Sequence, residues 1–320
     1  MTRRASSPTL DGDVELKATQ PILMRTIALF ADRWILPGLH VTLASLLDHA
    51  VDSQPFRIVV FGEGLGRRDK ALLDRTVERR LGRHRLEVRD FVTPETHTLK
   101  SLRGNYTAYG RLFLPDLLPD TDACLYLDCD LIITCPVDPL LERGASDTLL
   151  HADGTGRRGD SIDNRAFERL GLDMSKPYFN SGVLVLNLEQ WRTQRIGDQC
   201  LNFARQHRDL LRSADQMVLN ALLGDRFEAF GEDFNTAVWP SSPEIPPAKR
   251  TGHIFHLVGA PKPWDYFGRF AHRNFGFWFE WIRKTAWFAD APSRITSGLG
   301  VRQRMRIMPA TLRELRARYL

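Results

Sequence analysis

The chain of 320 residues is 43% hydrophobic and 26% charged, the balance of an ordinary soluble globular protein with material for a sizeable core. It holds no run of about 18 apolar residues such as a membrane-spanning helix needs, and the two arginines near its start lack the apolar stretch of a signal peptide. The net charge of +5 is uneven: residues 265–320 carry 11 Lys/Arg against 4 Asp/Glu, and the rest 33 against 35, which argues for a basic patch at one end and against a nucleic-acid groove through the body.

Residues 1–20 are polar and unpatterned and are expected to form a flexible arm. Residues 26–30 read as a buried strand ending at Ala31 and Asp32. Pro37 and Gly38 are read as a break, with a helix over 40–49. A second strand is expected over 56–61. Gly62, Gly64 and Gly66 behind it are a weak dinucleotide signal, since the third glycine is misplaced and no acidic residue follows at the needed distance, so they read as a turn. A charged helix over 67–81 and a third strand over 85–91 extend a strand–helix alternation that implies a mostly parallel sheet wound on both faces.

Further along, 106–114 reads as a helix, 150–177 as a loop region with one short helix, and 183–188 as a strong strand. Helices are expected over 197–208 and 214–223, then an irregular stretch with four prolines from Phe234 and Asn235, and a short strand over 253–256. Seven aromatics crowd residues 275–288, where Trp278, Trp281, Ile282 and Thr285 share one face of a helix expected to pack on the core. Over 302–320, Met308, Leu312, Leu315 and Tyr319 recur at helical spacing, with Arg313, Arg316 and Arg318 elsewhere on the wheel and Pro309 suited to a helix start. A basic amphipathic helix of this kind points to an anionic membrane surface, the alternative being a solvated or self-packed helix. Cys124, Cys129, Cys135 and Cys200 form no C-x-x-C pair and no zinc spacing, and are expected to be buried free thiols in a reducing cytoplasm.

The informative stretch is 125–133, an apolar run carrying Asp128 and Asp130. It reads as a strand buried on both faces, with the acids where the strand would end. On extended backbone, side chains at i and i+2 point the same way. Buried charge is costly unless paired or metal-bound. The pair therefore points to a divalent cation at a sheet edge, although a bare D-x-D is a weak motif that also suits solvated acids in a loop.

Four more segments accompany it in order: Tyr109-Gly110-Arg111-Leu112; Tyr178 to Leu184 with Asn187-Leu188 and Trp191-Arg192; Asp215-Gln216 with Leu219-Asn220; and His256, Gly259 and Lys262-Pro263-Trp264. With Tyr126 to Asp130, these make the chain from about residue 25 to 265 resemble family 8 glycosyltransferases, the retaining group that includes bacterial lipopolysaccharide galactosyltransferases and glycogenin. The resemblance implies an α/β nucleotide-diphospho-sugar transferase (GT-A type) fold, a Rossmann-like, mixed, mostly parallel sheet flanked by helices. The catalytic domain would span 21–290, between the arm at 1–20 and a basic extension at 291–320.

It also implies a UDP-sugar donor, with Ala31, Asp32, Ile35, Arg111, Asp128, Cys129, Asp130, Asn180, Gly182, Asp215, Gln216, His256, Gly259 and Lys262 around it. Asp128, Asp130 and His256 would hold the metal, and their mixed oxygen and nitrogen donors suit Mn²⁺, with Mg²⁺ the other candidate. The metal and Lys262 would meet the charge on the diphosphate. Gly259 would let backbone approach the phosphates, Arg111 would reach sugar or diphosphate, and Asp32 the base. Asn180, Asp215 and Gln216 would line the sugar pocket, with Asp153 a further candidate. Retention by a covalent route needs a carboxylate on the far face of the sugar. Gln216 matches that position and is a poor nucleophile, so front-face substitution is favoured, with Asp215 as the fallback.

Two departures from the family pattern stand out. Arg33, Trp34 and Ile35 follow Asp32 where the family carries Asn and an aromatic that stacks on uracil. Arg103-Gly104-Asn105 replaces a segment with His and Ser. The reading is thus a hexosyltransferase acting on a lipopolysaccharide or other surface glycan at the cytoplasmic face of the membrane. The alternatives are a transferase using another nucleotide sugar, or a catalytically idle binding protein, which the complete set Asp128, Asp130, His256 and Lys262 argues against.

Overall fold

A computed structural model describes residues 25–290 and 301–319 of the chain, apart from 51 and 103; the expected arm at 1–20 and the segment 291–300 lie outside the described residues. Strands β1 (Arg25–Asp32), β2 (Phe56–Glu63) and β3 (Arg85–Asp90) are parallel neighbours, and β4 (Ala123–Leu127) pairs in parallel with the other side of β1. After β5 (Leu131–Ile133) and β6 (Leu150–Ala152), β7 (Gly156–Arg157) and β8 (Pro177–Tyr178) form a small antiparallel pair. β9 (Val183–Asn187) lies antiparallel between β4 and β6, and β10 (Glu228–Ala229) closes that edge. The large sheet is therefore mixed and mostly parallel, in the order β10-β6-β9-β4-β1-β2-β3. A second sheet joins β11 (Thr236–Ala237), β12 (Ile254–His256) and β5, with β12 antiparallel to β5.

The apolar strands are long runs because both faces of the sheet are covered. Strand periodicity of two sends Ile27, Leu29, Leu125 and Leu127 to one side, where Leu36, Leu39 and Leu43 of the helix Leu36–Asp48 meet them. It sends Phe30, Tyr126 and Leu184 to the other, against Trp191, Met217 and Leu219 from the helices Leu188–Thr193 and Asp215–Leu223.

The run 125–133 is two strands in two sheets, with residues 128–130 turning between them. The β5 backbone is satisfied partly from the side: Leu131 N–H donates to Thr42 Oγ1 at 3.1 Å and Ile133 N–H to Ser45 Oγ at 3.0 Å, both on the first helix. Pro37 and Gly38 open that helix instead of breaking the chain. Pro37 sits in its first turn, where a missing N–H costs nothing. A Cβ on Gly38 would lie 2.4 Å from the Cys129 carbonyl oxygen and 2.6 Å from the Trp264 ring, so the glycine lets the helix press against the D-x-D turn.

Elsewhere, the region 150–177 contributes β6 to the large sheet, and the helix Leu188–Thr193, capped by the Asn187 side chain, lies between the expected elements. Residues 107–113 wind as 3-10 helix, tightened where Gly110 gives way to the Phe30 ring. The aromatic segment is two helices, Phe275–Ile282 and Ala286–Asp290; Thr285 Oγ donates to the Ile282 carbonyl at 2.6 Å at the break. Its expected inner face, Trp278, Trp281, Ile282 and Thr285, is buried.

The last helix, Val301–Tyr319, contains Pro309 in its interior, on its exposed side, and does not start there. It rests on the protein through Ile307, Thr311 and Glu314, one position round from the apolar stripe read from the sequence, and leaves Leu312 and Tyr319 of that stripe outward. Among the described residues no helix is long and apolar enough to cross a membrane. The cysteines are free; Cys124, Cys129 and Cys200 are buried and Cys135 is half-buried.

An exposed Gly→Ala change inside a helix gains about 1 kcal/mol. At Gly38 overpacking dominates, and Gly38→Ala is expected to cost about 1–3 kcal/mol. Urea unfolding of the two proteins measures this, and an unchanged or raised midpoint would refute the close packing as its cause.

Candidate active site

The C-terminal ends of the parallel strands β1 and β4 and the N-terminal end of the antiparallel β9 meet at one edge of the large sheet. Open α/β sheets bind ligands at such an edge. Asp128 leaves β4 there, and its N–H donates to the Gly182 carbonyl at 2.8 Å, just ahead of β9. The second sheet brings in a distant segment: β12 pairs with β5 so that His256 lies opposite Leu131, and Leu257 N–H donates to the Asp130 carbonyl at 2.9 Å.

One ligand atom each from Asp128, Asp130 and His256 lie within 4.8 Å of one another. His256 Nε2 is 3.1 Å from Asp130 Oδ1 and 3.6 Å from Asp128 Oδ2. Asp130 Oδ1 is buried and lacks a well-aligned hydrogen-bond donor among the described residues. A Cβ on Gly182 would stand 2.2 Å from His256 Cε1 and 2.9 Å from Asp128 Oδ2, so only glycine leaves this space open. Two carboxylate oxygens and one imidazole nitrogen converging on a gap kept clear of side chains are a fitting donor set for Mn²⁺ or Mg²⁺.

Cations already flank the acids. Lys262 Nζ donates to Asp130 Oδ2 at 2.5 Å and to the Leu257 carbonyl. Burial alone would raise the Asp130 pKa, but Lys262 and His256 outweigh it and hold the carboxyl well below the usual carboxylate range. Arg111 is buried, with its guanidinium over the Tyr126 ring at 4.1 Å. Its Nη2 donates to Asp128 Oδ1 at 2.9 Å, its Nε is 3.1 Å from Asp215 Oδ2, and its Nη1 donates to the Ser181 carbonyl. Tyr126 O–H also donates to Asp128 Oδ1, at 2.5 Å. The two oxygens of Asp128 are thereby divided: Oδ1 faces Tyr126 and Arg111, and Oδ2 faces His256. The Arg111 guanidinium thus lies between Asp128 and Asp215.

Asp215 is 2% exposed and accepts from Ser181 Oγ at 3.2 Å. Gln216 is gripped at both ends: Oε1 accepts from Ser181 N–H at 3.1 Å, and Nε2 donates at 2.5 Å to the Tyr178 hydroxyl, which donates to buried Asp163 at 2.9 Å. Asn180 Oδ1 accepts from Gly182 N–H at 2.8 Å, and Asn180 N–H donates to Asp153 Oδ1 at 3.0 Å. Asp32 ends β1, where its Oδ1 accepts from the N–H groups of Trp34 and Ile35 and its Oδ2 from Asn105 Nδ2 at 2.7 Å. Trp34 turns away and donates its indole N–H to Asp265 at 3.0 Å. Ala31 and Cys129 are buried behind this turn, and the Cys129 thiol, pushed up by burial, points at the Phe30 carbonyl. Gly259 has φ +77°, a conformation favouring glycine, and lies beneath the exposed Trp239.

The structure thus gathers the motif residues into one network. Tyr178, part of a family motif, joins it through Gln216, and Asn235 and Asp163 join it without a signal in the sequence. Their types are ordinary, and only the fold sets Asn235 beside His256 Nδ1, at 3.0 Å.

Burial raises both Asp153 and Asp215 to about 6, against backbone hydrogen bonds in the first case and Arg111 in the second. A carboxyl that binds its proton more tightly folded than unfolded adds stability at low pH and loses that contribution as the pH climbs from about 4 to about 6. Asp153→Asn, which keeps the shape and drops the charge, is expected to be more stable than the parent by roughly 1–3 kcal/mol at about pH 7.5, with the gap closing near pH 4. Urea midpoints across that range decide it, and parallel curves would count against the buried charge.

Residues 26–268 match the model of Glycosyl transferase family 8. The chain is 25% identical to General stress protein A of Bacillus subtilis over 206 residues, 60% of this chain and 70% of that protein. It is 24% identical to lipopolysaccharide glucosyltransferase WaaO of Escherichia coli over 260 residues, 79% and 76% of the two chains. It spans only 25% of the length of glycosyltransferase GlyA of Streptococcus pneumoniae. Among solved structures, galactosyltransferase LgtC in complex with donor and acceptor sugar analogues matches with a TM-score of 0.65 at 24% identity, covering 81% of this chain and 96% of that one. At that identity the likeness speaks for the fold, which is GT-A. Matched from β1 to beyond Trp264, the chain belongs to glycosyl transferase family 8.

Proposed function

We propose that the protein transfers a hexose from a UDP-sugar to a glycan acceptor, with retention and with a divalent cation held by Asp128, Asp130 and His256. The convergence of those three ligands beside Lys262 is the observation that carries this reading. A cation bound there supplies Lewis-acid stabilisation of the charge that grows on the departing diphosphate. Lys262 adds a second, compact positive charge suited to phosphate oxygens. Asp32 and the turn after it would receive the nucleoside. Asp153, Asn180, Asp215 and Gln216 would hold the sugar hydroxyls.

The surroundings of the two candidate nucleophiles favour front-face substitution. Asp215 is engaged by Arg111 and Ser181, and the Gln216 carboxamide is fixed by Ser181 and Tyr178. Neither is presented as a free attacking group, so deprotonation of the acceptor would fall to the leaving phosphate.

A surface glycan such as lipopolysaccharide core is the acceptor this reading favours, since WaaO is a lipopolysaccharide glucosyltransferase by name. The outer face of the last helix supports membrane docking. Met305, Leu312 and Tyr319 are exposed there, Tyr266, Phe267 and Phe270 are exposed nearby on the segment it packs against, and Arg313, Arg316 and Arg318 add charge. Aromatic and basic side chains together suit the anionic inner face of a cytoplasmic membrane.

Donor hydrolysis without acceptor tests the transferase reading. UDP release from one member of a nucleotide-sugar panel in Mn²⁺ is expected to fall by about 100-fold or more with Asp130→Ala or with chelator; release indifferent to both would sink the metal assignment. Membrane docking is tested by co-sedimentation with phosphatidylglycerol vesicles. The triple change of Arg313, Arg316 and Arg318 to Glu is expected to abolish binding that high salt also weakens, and equal binding to neutral vesicles would count against it.

A further inference from the structure

Asn235 is 4% exposed, ends the 3-10 turn Glu232–Asn235 and immediately precedes β11. β11 pairs with β12 so that Ala237 lies opposite His256, and Val238 N–H donates to the His256 carbonyl at 2.7 Å. This register sets the Asn235 side chain beside the imidazole. Its Nδ2 faces Asn180 Oδ1 at 3.1 Å, Asp153 Oδ2 at 3.4 Å and the Asn180 carbonyl at 3.5 Å, all acceptors. The amide nitrogen belongs on that side, so Oδ1 is the atom that meets His256 Nδ1 at 3.0 Å. A carbonyl oxygen only accepts, so Nδ1 carries a proton. The other nitrogen, Nε2, then faces Asp130 Oδ1 and Asp128 Oδ2, and three electron-rich atoms so placed need a proton or a metal ion among them.

We propose that Asn235 is a positioning residue that fixes the His256 tautomer for metal binding and, through Asn180 and Asp153, ties the cation site to the wall that holds the donor sugar. This rests on the metal-dependent reading above. A hydrogen-bond partner on the far nitrogen of a metal-binding histidine fixes the ring and raises its basicity, and its loss costs about 10- to 100-fold in metal affinity. Here the same amide touches the two side chains expected to meet sugar hydroxyls, so metal and sugar would share one support.

The test is binding to the full chain by calorimetry and electron paramagnetic resonance, of Mn²⁺ alone and then, in Mn²⁺, of UDP and of the UDP-sugar that the donor panel identifies. It is joined by ¹⁵N imidazole spectra of the metal-free protein at about pH 8, with His256 assigned by its loss in His256→Gln. The parent is expected to bind Mn²⁺ and to show His256 protonated on Nδ1. Asn235→Leu is expected to lose about 10- to 100-fold in Mn²⁺ affinity. Asn235→Asp keeps an acceptor for Nδ1–H and is expected to hold Mn²⁺ within about threefold, while losing the preference for UDP-sugar over UDP. A His256 without a proton on Nδ1, or equal Mn²⁺ affinity in a folded Asn235→Leu, overturns the proposal. Should Asn235→Leu not fold, the tautomer and the split shown by Asn235→Asp decide. A parent that binds no Mn²⁺ sinks the metal reading and this proposal with it; a parent that binds while Asn235→Leu loses nothing sinks this proposal alone.

Discussion

Two carboxylates stand at the inner edge of a sheet, and their charge has to be met from within the protein. Arg111 meets Asp128 at 2.9 Å and Lys262 meets Asp130 at 2.5 Å. Asp130 and Lys262 are both buried, and removing one partner from such a pair typically costs about 3–5 kcal/mol, because the other charge is stranded away from water. The rest of the architecture serves this constraint. Arg111 is delivered by a 3-10 segment that Gly110 seats against Phe30, and Lys262 by the loop that follows β12.

That arrangement explains why the sheet is mixed. A wholly parallel sheet would place only the C-terminal ends of its strands at the site. The antiparallel β9 turns its N-terminal end to the same edge, which puts Asn180, Ser181 and Gly182 against the D-x-D turn. The small sheet does the same for His256. Five segments far apart in sequence thus share one charge network, carrying Arg111, the two acids of the D-x-D turn, Ser181, Asp215 and the stretch from His256 to Lys262.

Much of this was legible in the sequence, for definite reasons. Strands buried on both faces announce themselves as apolar runs, and the motif residues that carry charge had to be near one another because few partners could satisfy them. The break between β4 and β5 was not legible, since both strands are equally apolar and their separation depends on Thr42 and Ser45 supplying hydrogen bonds from a helix. Pro37 and Gly38 misled because their meaning turns on position: one belongs in a first helical turn and the other against a carbonyl oxygen. In the site, residue types pointed to ligands, but not to orientation. That Arg111 faces inward, and that Asn235 stands behind His256, follow from register alone.

The position of Trp34 has a consequence for how the chain can be divided. Its indole N–H is bound to Asp265, which also accepts from the Lys262 N–H, and its ring lies in one cluster with Ala260 and Ile307. One side chain therefore braces the turn after β1, the loop carrying Lys262 and the last helix. The stretch matched by the family ends at residue 268, short of that helix and of Trp278, whose ring lies 5.7 Å from that of Trp264. A protein trimmed to the matched stretch would keep its candidate site residues and strip the bracing from two of the walls around them. The last helix is thus a buttress of the candidate site as well as the surface proposed for docking, and a force applied to it from outside would reach the loops within.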